Sequence, residues 1–190
     1  MRAPGGRQGS GAARLTVHFY LHDGGSAVAP VATLPPTLRF RCWSADDDGF
    51  PPPGARTISN QLWWVFAKLR VFARRGFTEI SIVEEGRLLH RLIVTPAWYR
   101  FPFMSPNDLQ LGGLWTSPGS RRQHLASCAI AEAHRRFAHE NIRLWYVTDA
   151  DNYQSAALAR SCGYRLVAGG KRTRKFGTSL LGQYVIEMPA

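Results

Sequence analysis

The chain has 190 residues, 45% hydrophobic and 12% aromatic, which is enough apolar mass for one folded domain and argues against disorder throughout. Lys and Arg number 24 against 13 Asp and Glu, and the resulting charge of +11 draws polyanions: nucleic acid, an anionic membrane surface or a phosphorylated cofactor. Cys42, Cys128 and Cys162 stand alone with no CxxC, and the histidines show no HExxH, so the expectations are no disulfide framework, no metal and a reducing, cytoplasmic setting.

Residues 1–14 are rich in Gly, Ala and Arg and lack any acid; they read as a disordered tail ahead of a single domain over 15–190. No apolar run reaches the roughly 18 residues of a membrane span. Residues 15–21 and 37–43 read as strands. In the second, Leu38, Phe40 and Cys42 alternate with Arg39 and Arg41, the period of a half-buried strand. Residues 44–56 hold an Asp run and a Pro run, a loop signature. Ser59 or Asn60 opens a helix with Leu62, Val65, Phe66, Leu69, Phe72 and Ala73 on its apolar face, closed by Arg74, Arg75 and Gly76. Trp63 and Trp64 cannot both share that face, so one of them packs elsewhere or lines a pocket.

A hairpin follows over 78–94, turning at Glu85-Gly86. Residues 96–106 form an aromatic loop, placed either in the core or along an acceptor pocket. A short strand covers 109–116. Pro118 stops it, and a helix beginning at Arg121 carries Leu125, Cys128, Ala129, Ala133 and Phe137 on one face. A buried strand at 143–147, a short helix at 152–162, a strand at 163–167, a basic loop at 171–175 and a final strand at 183–188 complete the chain. Strands and helices in this order make an α/β domain with a mixed β-sheet flanked by helices.

The chemistry concentrates in the second half, at 109–188. A strand that delivers a loop onto a helix start presents unpaired backbone N–H groups to an anion, and pyrophosphate suits such a place. Thr116, Arg121, His124 and Ala126, followed by Asn152, Leu158, Gly163 and Tyr164, resemble the GNAT acetyltransferase superfamily. In that family a Q/R-x-x-G-x-G/A loop precedes an N-x(10)-G-F/Y element. The resemblance implies a GNAT-like fold that moves an acyl group, acetyl first, from acetyl-CoA or another acyl-CoA to an amine acceptor: a small molecule, an amino sugar or a protein amine. It implies a cofactor site at Leu114, Thr116, Arg121, Arg122, Gln123, His124, Leu125, Ala126 and Asn152, with the N–H near Thr116 polarising the thioester. Asn152 also suits a helix cap.

Two departures stand out. His124 replaces a family Gly, and either crowds the phosphates or, when charged, donates to them. Ala159 stands where many members carry the Tyr that protonates the leaving thiolate, so Tyr153 and Ser155 become the nearest hydroxyls. Asp108 and His90 are the candidate bases, acting through water. A nucleic-acid-binding protein reusing the fold is the competing reading, motivated by the net charge and the basic loop at 171–175. A fold that binds acyl-CoA without turnover is a third.

Overall fold

The computed structural model describes residues 16–23, 33–46, 49–51, 58–138, 141–173 and 182–189. The expected tail at 1–14, most of the Asp and Pro runs, His139 and the end of the basic loop lie outside them.

Among the described residues eight strands form one sheet: β1 (Thr16–Asp23), β2 (Arg39–Ser44), β3 (Thr78–Glu84), β4 (Arg87–Pro96), β5 (Leu109–Thr116), β6 (Arg143–Asp149), β7 (Arg165–Arg172) and β8 (Tyr184–Pro189). Their order is β2-β3-β4-β5-β6-β1-β7-β8. Every pairing is antiparallel except that of β5 with β6, so the sheet is mixed as expected. The helices are α1 (Ile58–Lys68), α2 (Leu125–Phe137) and α3 (Tyr153–Ser161).

Two apolar layers sandwich the sheet. On one face Leu125, Cys128, Ala129 and Ala133 of α2 and Ala156 and Ala159 of α3 pack on Leu92, Val94, Leu109, Leu111 and Leu144. The expected α2 stripe is therefore the buried one. On the other face Trp43, Phe72, Phe77, Trp98 and Phe101 gather, with Trp63 and Phe66 of α1 packed against them. Trp63 stacks on Phe77 at 5.7 Å, while Trp64 meets Phe50 edge-on at 5.4 Å. The two indoles thus part, as the helical period requires.

Three boundaries differ from the sequence reading. The first helix ends at Lys68 rather than near Arg74. Arg70 adopts φ +54°, its N–H bonds the Ala67 carbonyl, and the Val71 N–H reaches back to Phe66. Those two bonds form a Schellman stop with Arg in the place that usually holds Gly. The stop frees Phe72 to turn into the aromatic layer, and Leu62, Val65 and Leu69 stay exposed. The second helix begins at Leu125, four residues after Arg121, because Arg122 and His124 are left-handed. Lys171 and Arg172 continue β7 instead of starting a loop: their ladder runs on to Val185 and Tyr184, Lys171 pairs with Glu187, and Arg172 lies over the Tyr184 ring. At Glu85 and Gly86 both φ values are positive, which matches the twist of the tight β3–β4 hairpin.

Two buried histidines set an acid limit on the fold. By strand alternation His90 shares the α2 face with Leu92 and Val94. It is fully buried, and its Nδ1 lies 2.8 Å from the Thr116 hydroxyl. His134 Nε2 lies 2.9 Å from the Tyr164 hydroxyl, with His22 packed edge-on at 4.3 Å. Burial lowers both pKa values to about 4, with Arg91 adding to the effect at His90 and His22 at His134. An unfolded imidazole titrates near 6.5, so between about pH 6.5 and 4 the unfolded chain binds more protons. Stability is whole above that window and falls as pH drops through it, by about 2 kcal/mol for each histidine at pH 5. Urea midpoints at pH 7.5 and pH 5 should show the loss, and His134→Gln should flatten the slope.

Candidate functional site

β5 builds the site by leaving its neighbour. It pairs with β6 only at Leu109–Leu144, Gln110–Trp145 and Leu111–Tyr146. Beyond Leu111 the pairing stops, and the two strands diverge. A clamp holds the closed end. Arg143 Nε and Nη2 donate to the two Asp108 carboxylate oxygens at 3.1 and 2.8 Å, and Trp145 Nε1 and the Ser105 N–H donate to Oδ2 at 2.8 and 2.9 Å. At the open end a register shift against β4 falls between Arg91 and Ile93. Gly113 there has φ +60°, and a Cβ would sit 2.8 Å from Ile93 Cδ1. Only glycine fits that kink without strain.

The strand then enters the loop at 117–124. Pro118–Ser120 form one 3-10 turn, closed by the Ser120 N–H on the Ser117 carbonyl at 2.9 Å and by the two serine hydroxyls at 2.8 Å. Arg121, Arg122, Gln123 and His124 are exposed. Arg122 and His124 have φ +64° and +57°. His124 precedes α2 as its cap residue but supplies no side-chain cap, and no acid stands in the first turn. The first N–H groups of α2 therefore face a cationic loop with no side-chain cap, which is the arrangement that binds an anion.

Between the parted strands lies a cleft of about 270 Å³, lined by Gly112, Gly113, Leu114, Tyr146, Val147 and Thr148 from β5 and β6 and by Asn152 and Ser155 of the α3 start. Asn152 Oδ1 accepts the Ser155 N–H at 3.0 Å, so it caps α3 and lines the cleft at once. Tyr146 and Ser155 hydroxyls are 2.7 Å apart, and burial pushes the Tyr146 pKa up. A second cavity of about 300 Å³ holds Trp63, Arg91, Thr95, Trp98, Arg100 and Phe101. The two share Gly112, Gly113, Val147 and Tyr184. A molecule in one therefore borders a molecule in the other.

Cleft, kinked strand and uncapped helix start coincide with what a sequence model recognises. The model of the acetyltransferase (GNAT) family matches residues 41–164. The chain belongs to the GNAT acetyltransferases. Solved structures agree on the fold. A Drosophila protein matches with TM-score 0.55 at 21% identity, covering 82% of this chain and 48% of its own. A tandem GNAT protein from the clavulanic acid biosynthesis pathway matches with TM-score 0.54 at 16% identity over 82% of this chain and 51% of its own. A GNAT-family acetyltransferase from Colwellia psychrerythraea gives 0.52 at 12% identity, 82% and 54%. This GNAT chain spans about half the length of each. No protein of curated function matches it in sequence.

Within this GNAT domain the sequence-derived residues separate into groups. Leu114, Asn152 and Ser155 meet in the cleft. Arg121, Arg122, Gln123 and His124 form the loop, whereas the Leu125 side chain is buried in the core and leaves only its backbone for a ligand. Ala126 is half-buried in the first turn of α2. Thr116 lies past the cleft, bonded to His90. His90 and Asp108 are both fully enclosed and line neither cleft nor cavity, so the geometry gives them structural work: one anchors the end of β5, the other its start. Tyr153 is 78% exposed and also lines neither. Asp149, Tyr146, Tyr184 and Arg91 escaped the sequence reading. Gly112-Gly113 inside a strand was the available signal, since paired glycines there mark a bulge or a close approach.

Two outcomes follow from this geometry. Asp108→Ala should cost about 3 kcal/mol of stability by stranding Arg143, whose side chain keeps part of its hydration. His124→Gly should raise stability by about 0.5–1 kcal/mol by relieving the left-handed backbone, after the entropy of the added glycine. Denaturant midpoints measure both.

Proposed function

We propose that this chain transfers an acyl group, acetyl first, from acyl-CoA to the amine of a small acceptor. The observation that carries this reading is the cleft between the parted β5 and β6, set beside an α2 N-terminus that lacks a side-chain cap. The residues present fit the co-substrate. Arg121 and Arg122, with the N–H groups at the start of α2, would hold its pyrophosphate, and His124 adds a donor when charged. The arm would run along Leu114 and Asn152. Three free cysteines fit a reducing compartment such as the cytoplasm.

The chemistry asks for positioning above all. The amine nitrogen attacks the thioester carbonyl; a C–N bond forms and the C–S bond breaks. We assign the oxyanion to backbone N–H groups around Gly113, where β6 has left the strand, rather than to Thr116. Asp149 is the one carboxylate among the described residues lining cleft and cavity, and we assign it the amine proton, directly or through water. The thiolate is a fair leaving group. Its proton we assign to Tyr146, backed by Ser155, because burial keeps that phenol protonated and Ala159, itself fully buried, offers no hydroxyl.

CoA at millimolar concentration should raise the melting temperature by mass action, and desulfo-CoA should do the same. Arg121→Glu should weaken that shift more than it weakens folding. Absence of any shift at both low and moderate salt would sink the reading. With an accepted amine, Tyr146→Phe should lower kcat at least about tenfold and remove an alkaline limb from its pH profile, while Tyr153→Phe leaves both unchanged.

A further inference from the structure

The cavity that borders the acyl-CoA cleft combines cationic and aromatic walls. Arg91 of β4 and Arg100 of the aromatic loop line it, and no Asp or Glu does so among the described residues. Two of its donors stand unused: Arg91 Nε and Trp98 Nε1 are buried and have no hydrogen-bond partner among the described residues. The Arg100 guanidinium lies 5.7 Å from the Trp98 ring and 5.9 Å from the Tyr184 ring. Tyr184 also stacks on Phe101 at 5.1 Å. Buried donors without acceptors are costly, and a bound group that accepts from them recovers that cost. A guanidinium is matched best by a planar anion that takes two parallel N–H bonds.

We propose that the acceptor of this enzyme is a small aromatic amine that also carries a carboxylate, an aromatic α-amino acid or a close derivative. The proposal rests on the acyl-transfer reading above and names the substrate of that same site. The carboxylate sits at Arg91 and Arg100, and the ring lies among Trp63, Trp98 and Phe101. Volume and charge narrow the class. A cavity of about 300 Å³ is at the small end of ligand sites, too small for an oligosaccharide or a folded protein segment. Polyamines bring several positive charges to a wall that already has two, and a simple amino sugar brings one with no anion to offset it. A neutral amine leaves the Arg91 and Trp98 donors unpaired. With the carboxylate fixed, the amine faces the shared wall of Gly112, Gly113 and Tyr184, where the cleft begins. There its nitrogen forms the amide bond, the thioester C–S bond breaks, CoA leaves as the thiol, and the carboxylate is unchanged.

The test is calorimetric titration of the full chain, with and without saturating CoA, which supplies no acyl group and so allows binding to be read without turnover. The probes are L-phenylalanine, L-tryptophan, phenethylamine, spermidine and O-phosphoethanolamine. An aromatic amino acid should bind at least about tenfold tighter than phenethylamine, because a site built for a polar group rejects the analogue lacking it. Arg91→Met should erase that preference and Arg91→Lys should keep part of it, with circular dichroism and melting confirming the fold of each variant. In a thiol-release assay with acetyl-CoA the same order should appear in kcat/KM. Phenethylamine, spermidine or O-phosphoethanolamine binding as tightly as the amino acids, an unchanged preference in folded Arg91→Met, or no amino-acid binding in either titration would overturn the proposal. The CoA melting shift is read separately. If CoA binds and the carboxylate preference is missing, the acceptor class falls alone; if CoA does not bind, the acyl-transfer reading falls first.

Discussion

The parting of β5 from β6 is the constraint on which the rest of the molecule depends. A parallel pair that continued to the end of both strands would close the space that the cleft occupies. Two local devices prevent this. At the closed end the Asp108 carboxylate gathers Arg143, Trp145 and the Ser105 N–H, so the strands start together. At the open end the Gly113 kink turns β5 away while β4 keeps hold of it through Arg91–Trp115 and His90–Thr116. A carboxylate enclosed among donors is a costly thing to disturb, and its burial at the hinge of the V gives the divergence a fixed origin.

Electrostatics follow the same division. The excess of Arg and Lys marks the chain as a partner for anions but does not say where one would sit. Geometry makes that distinction. Arg121 and Arg122 flank an uncapped helix start at the surface, where a hydrated phosphate can approach. Arg91 and Arg100 are set among aromatic rings, where a carboxylate would shed much of its water. The two Arg pairs therefore differ in setting, one exposed at a helix start and one among aromatic rings.

Much of this was legible in the sequence, and the misses have physical causes. The period-3.6 pattern located the α2 stripe because that helix buries one face against the sheet, while central strands covered on both faces read as short apolar runs between turns. Periodicity found only part of the α1 face: Phe66 packs on the aromatic layer as expected, but Trp63 joins it, and Leu62, Val65 and Leu69 stay exposed. Helix starts and stops failed where non-glycine residues adopt left-handed backbone, at Arg70, Arg122 and His124, since nothing in an Arg or His announces it. Asn152 was readable because a helix cap is a local device. Asp108 and His90 carry the chemistry of bases, and only tertiary packing shows that they bond at the two ends of β5. Asp149, Tyr146 and Tyr184 reach the site from separate strands, so no spacing in the chain ties them to it.

Tyr184 has a consequence of its own. Its ring is shared by cleft and cavity, and it comes from β8, whereas the loop at 117–124, the kink and the α3 cap are all encoded before it. As the chain leaves the ribosome, everything proposed to hold CoA is made before this shared wall. The space shared by cleft and cavity therefore gains its last wall only when β8 docks on β7.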